Sequence, residues 1–169
     1  MEITIVGATA LKMKGKSASL AVNPTAQLTG YNGVLVVGHN PSYTADTDAV
    51  VFDGPGEFEV GGIKVTGFRG EPGVAYNVLL DGVSLLIGDA VTLSKSQSKV
   101  KEADIVLLEV MTDIDVAFVS AYESRVIIFY GPEAKNALAK LSKENITKTN
   151  KFTITKDKLP EEAQFVILE

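Results

Sequence analysis

Short runs in which apolar and polar residues alternate, broken about every eight to twelve positions by Gly, Asn, Asp or Pro, narrow what this chain can become. An extended strand turns every second side chain to one face, so such runs build half-covered sheets rather than helical bundles. Glu2 to Val6 sets Ile3 and Ile5 between polar neighbours and turns at Gly7. Ala10 to Lys14, the turn Lys14-Gly15-Lys16 and Ser17 to Val22 follow, ending at Asn23-Pro24. They read as three hairpin-linked strands. Val34 to Val37 is apolar without alternation, the pattern of a strand covered on both faces, which places it centrally. Ala49 to Phe52, Glu57 to Val60, Ile63 to Phe68, Ala75 to Leu80 and Ser84 to Ile87 read as a second meander. Its turns include the two-residue pairs Gly61-Gly62 and Asp81-Gly82.

After Asp89 the texture changes. Ser94 to Lys101 is polar, with Ser94-Lys95-Ser96 as a helix start. Ile105 to Val110, Ala117 to Ser120 and Val126 to Phe129 are short apolar strands whose polar connections predict parallel pairing. One substantial helix is expected over about 132 to 144. Pro132 suits a first turn, Glu133 complements the helix N-terminus, and Ala134, Leu138 and Leu141 share a face. The tail returns to strand at Phe152 to Thr155 and Phe165 to Leu168, around a Leu159-Pro160 turn. No linker or charge block divides residues 1–169, which read as one domain.

Composition excludes more than it assigns. With 46% hydrophobic residues the chain can bury a core, and no apolar run approaches the roughly 18 residues that cross a bilayer. The opening Met-Glu-Ile-Thr-Ile-Val has neither a basic n-region nor a cleavage site, so a cytoplasmic protein without membrane contact is expected. Zero cysteines exclude disulfides, thiolate metal sites and thiol nucleophiles. His39 is the single histidine, so any Ser-His-acid triad must use that ring. A net charge of −5 and only two arginines, Arg69 and Arg125, argue against a nucleic-acid partner. The lysines between 140 and 151 read as a solvated helix face and loop. Asp46-Thr47-Asp48 with Asp53 matches no calcium-loop spacing and reads as solvated turns. Gly54-Pro55-Gly56 precedes no helix and reads as a hairpin device, and Gly70-Glu71-Pro72-Gly73 as a turn.

The segment Phe52-Asp53-Gly54-Pro55-Gly56-Glu57-Phe58-Glu59-Val60, followed by Gly62-Ile63-Lys64-Val65-Thr66-Gly67, resembles a hairpin of the metallo-β-lactamase superfamily. The likeness is to its branch of L-ascorbate-6-phosphate lactonase-like, Zn-dependent hydrolases. It extends in order through Met1 to Gly7, Lys14 to Pro24, Tyr76-Asn77 to Asp81-Gly82, Ile87-Gly88-Asp89 and the closing Phe152 to Glu169. The resemblance implies an α+β fold of two β-sheets packed face to face, a trimmed αββα sandwich with reduced helix content. Residues of Val34 to Val37, Leu85 to Ile87, Ile105 to Leu108 and Val126 to Phe129 should then be interior.

The resemblance also implies a metal site, and this chain departs from it. A His-x-His-x-Asp-His loop is expected where Gly38-His39-Asn40-Pro41-Ser42-Tyr43-Thr44-Ala45-Asp46 stands, with one histidine in place of three. Ala8, Leu86 and Tyr130 fall where further histidines are expected, and Asp89 alone matches the bridging carboxylate. A catalytic zinc needs about three firm protein ligands, so Ala8, His39, Leu86, Asp89 and Tyr130 read as vestigial metal-site positions, with no catalytic residue and no cofactor. A non-catalytic protein that binds a protein partner or its own copy, most simply as a dimer through a sheet face or edge, is the expectation. The alternative is a lactone, ester or phosphodiester hydrolase whose zinc or manganese site has been rebuilt from His39, Asp46, Asp48 and Asp89.

Overall fold

The structure is a computed structural model that describes residues 1–25, 29–38, 48–99, 102–143 and 145–169. Hairpin chemistry builds most of it. Strands β1 (Glu2–Ile5), β2 (Leu11–Lys14) and β3 (Ser19–Val22) pair antiparallel, and β4 (Gly33–Leu35) and β5 (Val50–Phe52) add in parallel. With β13 (Lys151–Thr153) on β1, they form a six-stranded sheet ordered β13-β1-β2-β3-β4-β5. The second sheet begins with the meander β6 (Gly56–Val60), β7 (Ile63–Arg69), β8 (Val74–Leu80) and β9 (Val83–Asp89). Asp81 and Gly82 both take positive φ, 53° and 77°, as the two-residue turn between β8 and β9 requires. Parallel strands β10 (Ile105–Glu109), β11 (Val126–Tyr130), β14 (Gln164–Leu168) and β12 (Thr147–Thr149) complete its eight.

The period-two pattern sorts side chains between two cores. Ile3, Leu20, Leu35, Val65, Ile87, Leu107 and Ile128 fill the space between the sheets. Leu86, Val106, Leu108, Ile127 and Phe129 point outward from the second sheet and pack under helices α1 (Ala90–Lys95) and α2 (Ala134–Lys140). The chain thus folds as a two-sheet α+β sandwich with reduced helix, and its core is where the apolar runs placed it.

Several elements differ from expectation. The strand Ala49 to Phe52 does not open the second meander: β5 lies parallel to β4 in the first sheet. Ala117–Ala121 is a short 3-10 helix, because its outer-core anchors Val116 and Val119 recur at a spacing of three. Helix α1 ends where a start was expected, since the Asp89 carboxylate, accepting from the Thr92 N–H at 3.0 Å, caps it earlier. Helix α2 is shorter than 132 to 144, with Pro132 and Glu133 in the turn before it. Within the lysine-rich stretch, Thr147–Thr149 pairs with β14 as an edge strand. Among the described residues no helix is long and apolar enough to cross a membrane.

Candidate functional site

Parallel strands in register bring their carboxyl ends to one level, and here that level is polar. Asp89, Glu109 and Tyr130 end β9, β10 and β11 and are direct register partners, Asp89 with Glu109 and Glu109 with Tyr130. Asp89 lies two residues beyond Ile87, Glu109 two beyond Leu107 and Tyr130 two beyond Ile128, all inner-core residues, so the row faces the first sheet. All three are buried, Tyr130 completely.

The first sheet meets this row through Asn23 and Gly38. Asn23 follows β3 in the left-handed region, φ 42°, a conformation asparagine tolerates better than most residues. Its Oδ1 accepts from the Val37 N–H at 2.8 Å, and its Nδ2 donates to the Val37 carbonyl at 3.3 Å and to Glu109 Oε1 at 3.1 Å. Val36 still bonds to Phe52 in the first sheet, whereas the Gly38 N–H donates to Val74 in the second. Residues 36–38 therefore carry the chain from one sheet to the other. A side chain at Gly38, φ 74°, would place its Cβ 3.5 Å from Asp89 Oδ2 and 3.6 Å from Glu109 Oε2, so both carboxylates face this backbone.

Charge is held uneasily here. Burial, with the nearby Asp89 charge adding to it and the Asn23 hydrogen bond opposing it, pushes the Glu109 carboxyl up to about 7. Burial, then the charges of Glu109 and Asp89, raises the Tyr130 hydroxyl well above its ordinary value. Asp89 Oδ1 is spent on the helix cap, while Asp89 Oδ2 and the Tyr130 hydroxyl have no hydrogen-bond partner among the described residues.

The positions singled out in the sequence separate. Asp89 and Tyr130 share the row. Leu86 does not: it faces the outer core and borders a different depression, with Gln97, Glu102 and Tyr122. Ala8 lines a third surface, a depression of about 480 Å³ with Gly7, Gly131, Pro132, Lys135 and Glu169, whose lining includes none of Asp89, Glu109 and Tyr130. His39 and Asp46 lie outside the described residues, and Asp48 is exposed. Glu109 and Asn23 were not legible as site residues. The only signal for Glu109 was an acid inside the otherwise apolar run Ile105 to Val110, and Asn23 read as a turn.

Among the described residues the donor set does not fit a resident zinc or manganese ion of the kind the resemblance implies. No three of their His, Cys, Asp or Glu side chains converge, and Leu86 faces away.

No family model matches the chain, and no curated protein matches it in sequence. Solved structures do match in three dimensions. A candidate Zn-dependent hydrolase of the metallo-β-lactamase superfamily from Thermotoga maritima superimposes with a TM-score of 0.76 at 18% identity, over 100% of this chain and 99% of that one. The metallo-β-lactamase fold protein YhfI from Bacillus subtilis gives 0.58 at 10% identity, over 99% and 96%. A candidate metal-dependent hydrolase from Parabacteroides distasonis gives 0.57 at 12%, over 99% and 93%. With near-complete coverage on both sides, this chain has the metallo-β-lactamase fold.

Proposed function

We propose that this chain is a non-catalytic metallo-β-lactamase-fold protein, cytoplasmic, that acts by binding protein, most simply a second copy of itself. The observation that carries the reading is the open side of the sandwich. Edge strands β5 and β6 end their two sheets side by side, with the Phe52 and Phe58 rings 5.2 Å apart. Val50, Val51 and Phe58 on these strands are 49%, 39% and 42% exposed, half of the large apolar side chains exposed among the described residues. An edge strand offers unpaired N–H and C=O groups, and an apolar edge is most simply covered by a symmetric copy.

Of the two edges, β5 suits a twofold better. Antiparallel self-pairing of β6 about Phe58 would set Glu57 against Glu59, whereas pairing β5 about Val51 sets Val50 against Phe52 without a charge. Light scattering at micromolar concentration should return about twice the 18.0 kDa of one chain, and Val51→Lys should return the single mass. A wild-type mass of one chain that does not change on further concentration overturns self-association.

One observation favours the alternative, a hydrolase with a rebuilt site: a buried carboxyl pushed up to about 7 is suited to general acid–base work near neutral pH. Metal content of protein purified without chelator, followed by an ester, lactone and phosphodiester screen of wild type against Glu109→Gln, separates the two. Turnover that Glu109→Gln abolishes establishes the hydrolase.

A further inference from the structure

The misfit between this donor set and a metal ion has a structural counterpart. Ligands drawn from the loop after β4 and from the ends of β9 and β11 would let an ion join the first sheet to the second. We infer that in this chain the Asn23 side chain makes that join instead, so that the sandwich closes at the site without metal.

Asn23 is placed to do so from both sides. Its amide bonds the N–H and the carbonyl of Val37 together, the two groups a neighbouring strand would bond, and so extends the β3–β4 ladder by a side chain. Its own N–H donates to Leu35 at 3.0 Å, which fixes it to that ladder. The second Nδ2 hydrogen goes to Glu109 at the end of β10, in the other sheet. One residue, 7% exposed, thus satisfies three polar groups in two layers. Aspartate there would bring a third carboxylate to Asp89 and Glu109 and lose both amide donors. Alanine would leave the Val37 N–H and carbonyl and the Glu109 carboxylate without this partner.

The inference is independent of self-association and is tested on the full chain by thermal unfolding. A ligand that binds only the folded state raises its midpoint, so a site built for zinc or manganese must respond to them. The wild-type midpoint should not change with excess EDTA, zinc or manganese. Asn23→Ala should lower it by about 5 to 10 °C. Asn23→Ala combined with Glu109→Leu should be less destabilised than the sum of the two single effects, because removing the acid removes the group that Asn23→Ala strands. Should Asn23→Ala fail to fold, Glu109→Gln, which keeps an acceptor oxygen for Asn23, carries the metal test and should show the same indifference. A midpoint that falls with EDTA or rises with zinc or manganese in either protein overturns the inference, as do strictly additive losses in the cycle.

Discussion

The Tyr76 hydroxyl, carried by β8 in the second sheet, reaches the Phe52 carbonyl of β5 in the first at 2.8 Å and the Val36 carbonyl at 3.1 Å. The ring is fully buried, and burial, with the Asp53 charge adding to it, raises the hydroxyl far above its ordinary range, so it stays a donor at every physiological pH. One hydrogen shared between two carbonyls ties both sheets beside the open edge. Tyr76→Phe keeps the packing and leaves those carbonyls to other partners, so chemical denaturation should show a loss of about 1 to 2 kcal/mol with an unchanged m-value.

Glu109 makes stability depend on pH in a direction opposite to an ion-paired acid. Its folded-state value of about 7 lies above the ordinary carboxyl value of 4.5, so folding favours the protonated form. The penalty is absent below about pH 4.5, grows as pH rises towards 7 and is complete above it, on the order of 3 kcal/mol. Urea titrations of wild type and Glu109→Gln should therefore coincide near pH 4.5 and separate towards pH 8, with the variant the more stable. Equal separation at both pH values would contradict the sign.

Asp89 combines a favourable role with an unfavourable one. Its Oδ1 caps α1 and its Oδ2 faces Gly38 beside Glu109 Oε2. Asp89→Asn keeps the cap and removes the charge, so the midpoint of Glu109, followed by the carbon shift of its carboxyl, should fall. Asp89→Ala should lower that midpoint as well but cost about 1 kcal/mol of helix capping that Asp89→Asn does not.

Gly73 and Gly82 separate two reasons for a glycine. A Cβ on Gly73 would lie 2.3 Å from the Gly38 carbonyl carbon and 2.4 Å from its oxygen, backbone that cannot move without opening the passage between sheets. At Gly82, φ 77°, nothing lies within 4 Å. Gly82→Ala should cost about 1 to 2 kcal/mol, the conformational term alone, while Gly73→Ala should cost well over about 3 kcal/mol or abolish soluble expression.

What the sequence disclosed follows from periodicity. Alternation and hairpin turns marked nearly every strand, because side-chain period and turn chemistry are local. The parallel placement of β5 was hidden, since Val50-Val51-Phe52 reads the same in either sheet and only long-range register assigns it. The short helix at Ala117–Ala121 read as a strand for the same reason: a run this brief fits either period. At the site, Asp89 stood beside a recognisable turn, whereas the Asn23–Glu109 contact joins residues 86 positions apart and leaves no local trace.

The outward direction of Leu86 has a historical consequence. A histidine placed there would enter the layer beneath the helices with Leu93 and Val106, on the far side of the sheet from Asp89. Turning that position inward would require β9 to slip by one residue, which would expel Leu85 and Ile87 from the central core and draw Asp89 out of its row. Point substitution at this position acts as a ratchet: it can change what the outer layer contains, but it cannot add a ligand to the row that faces Gly38.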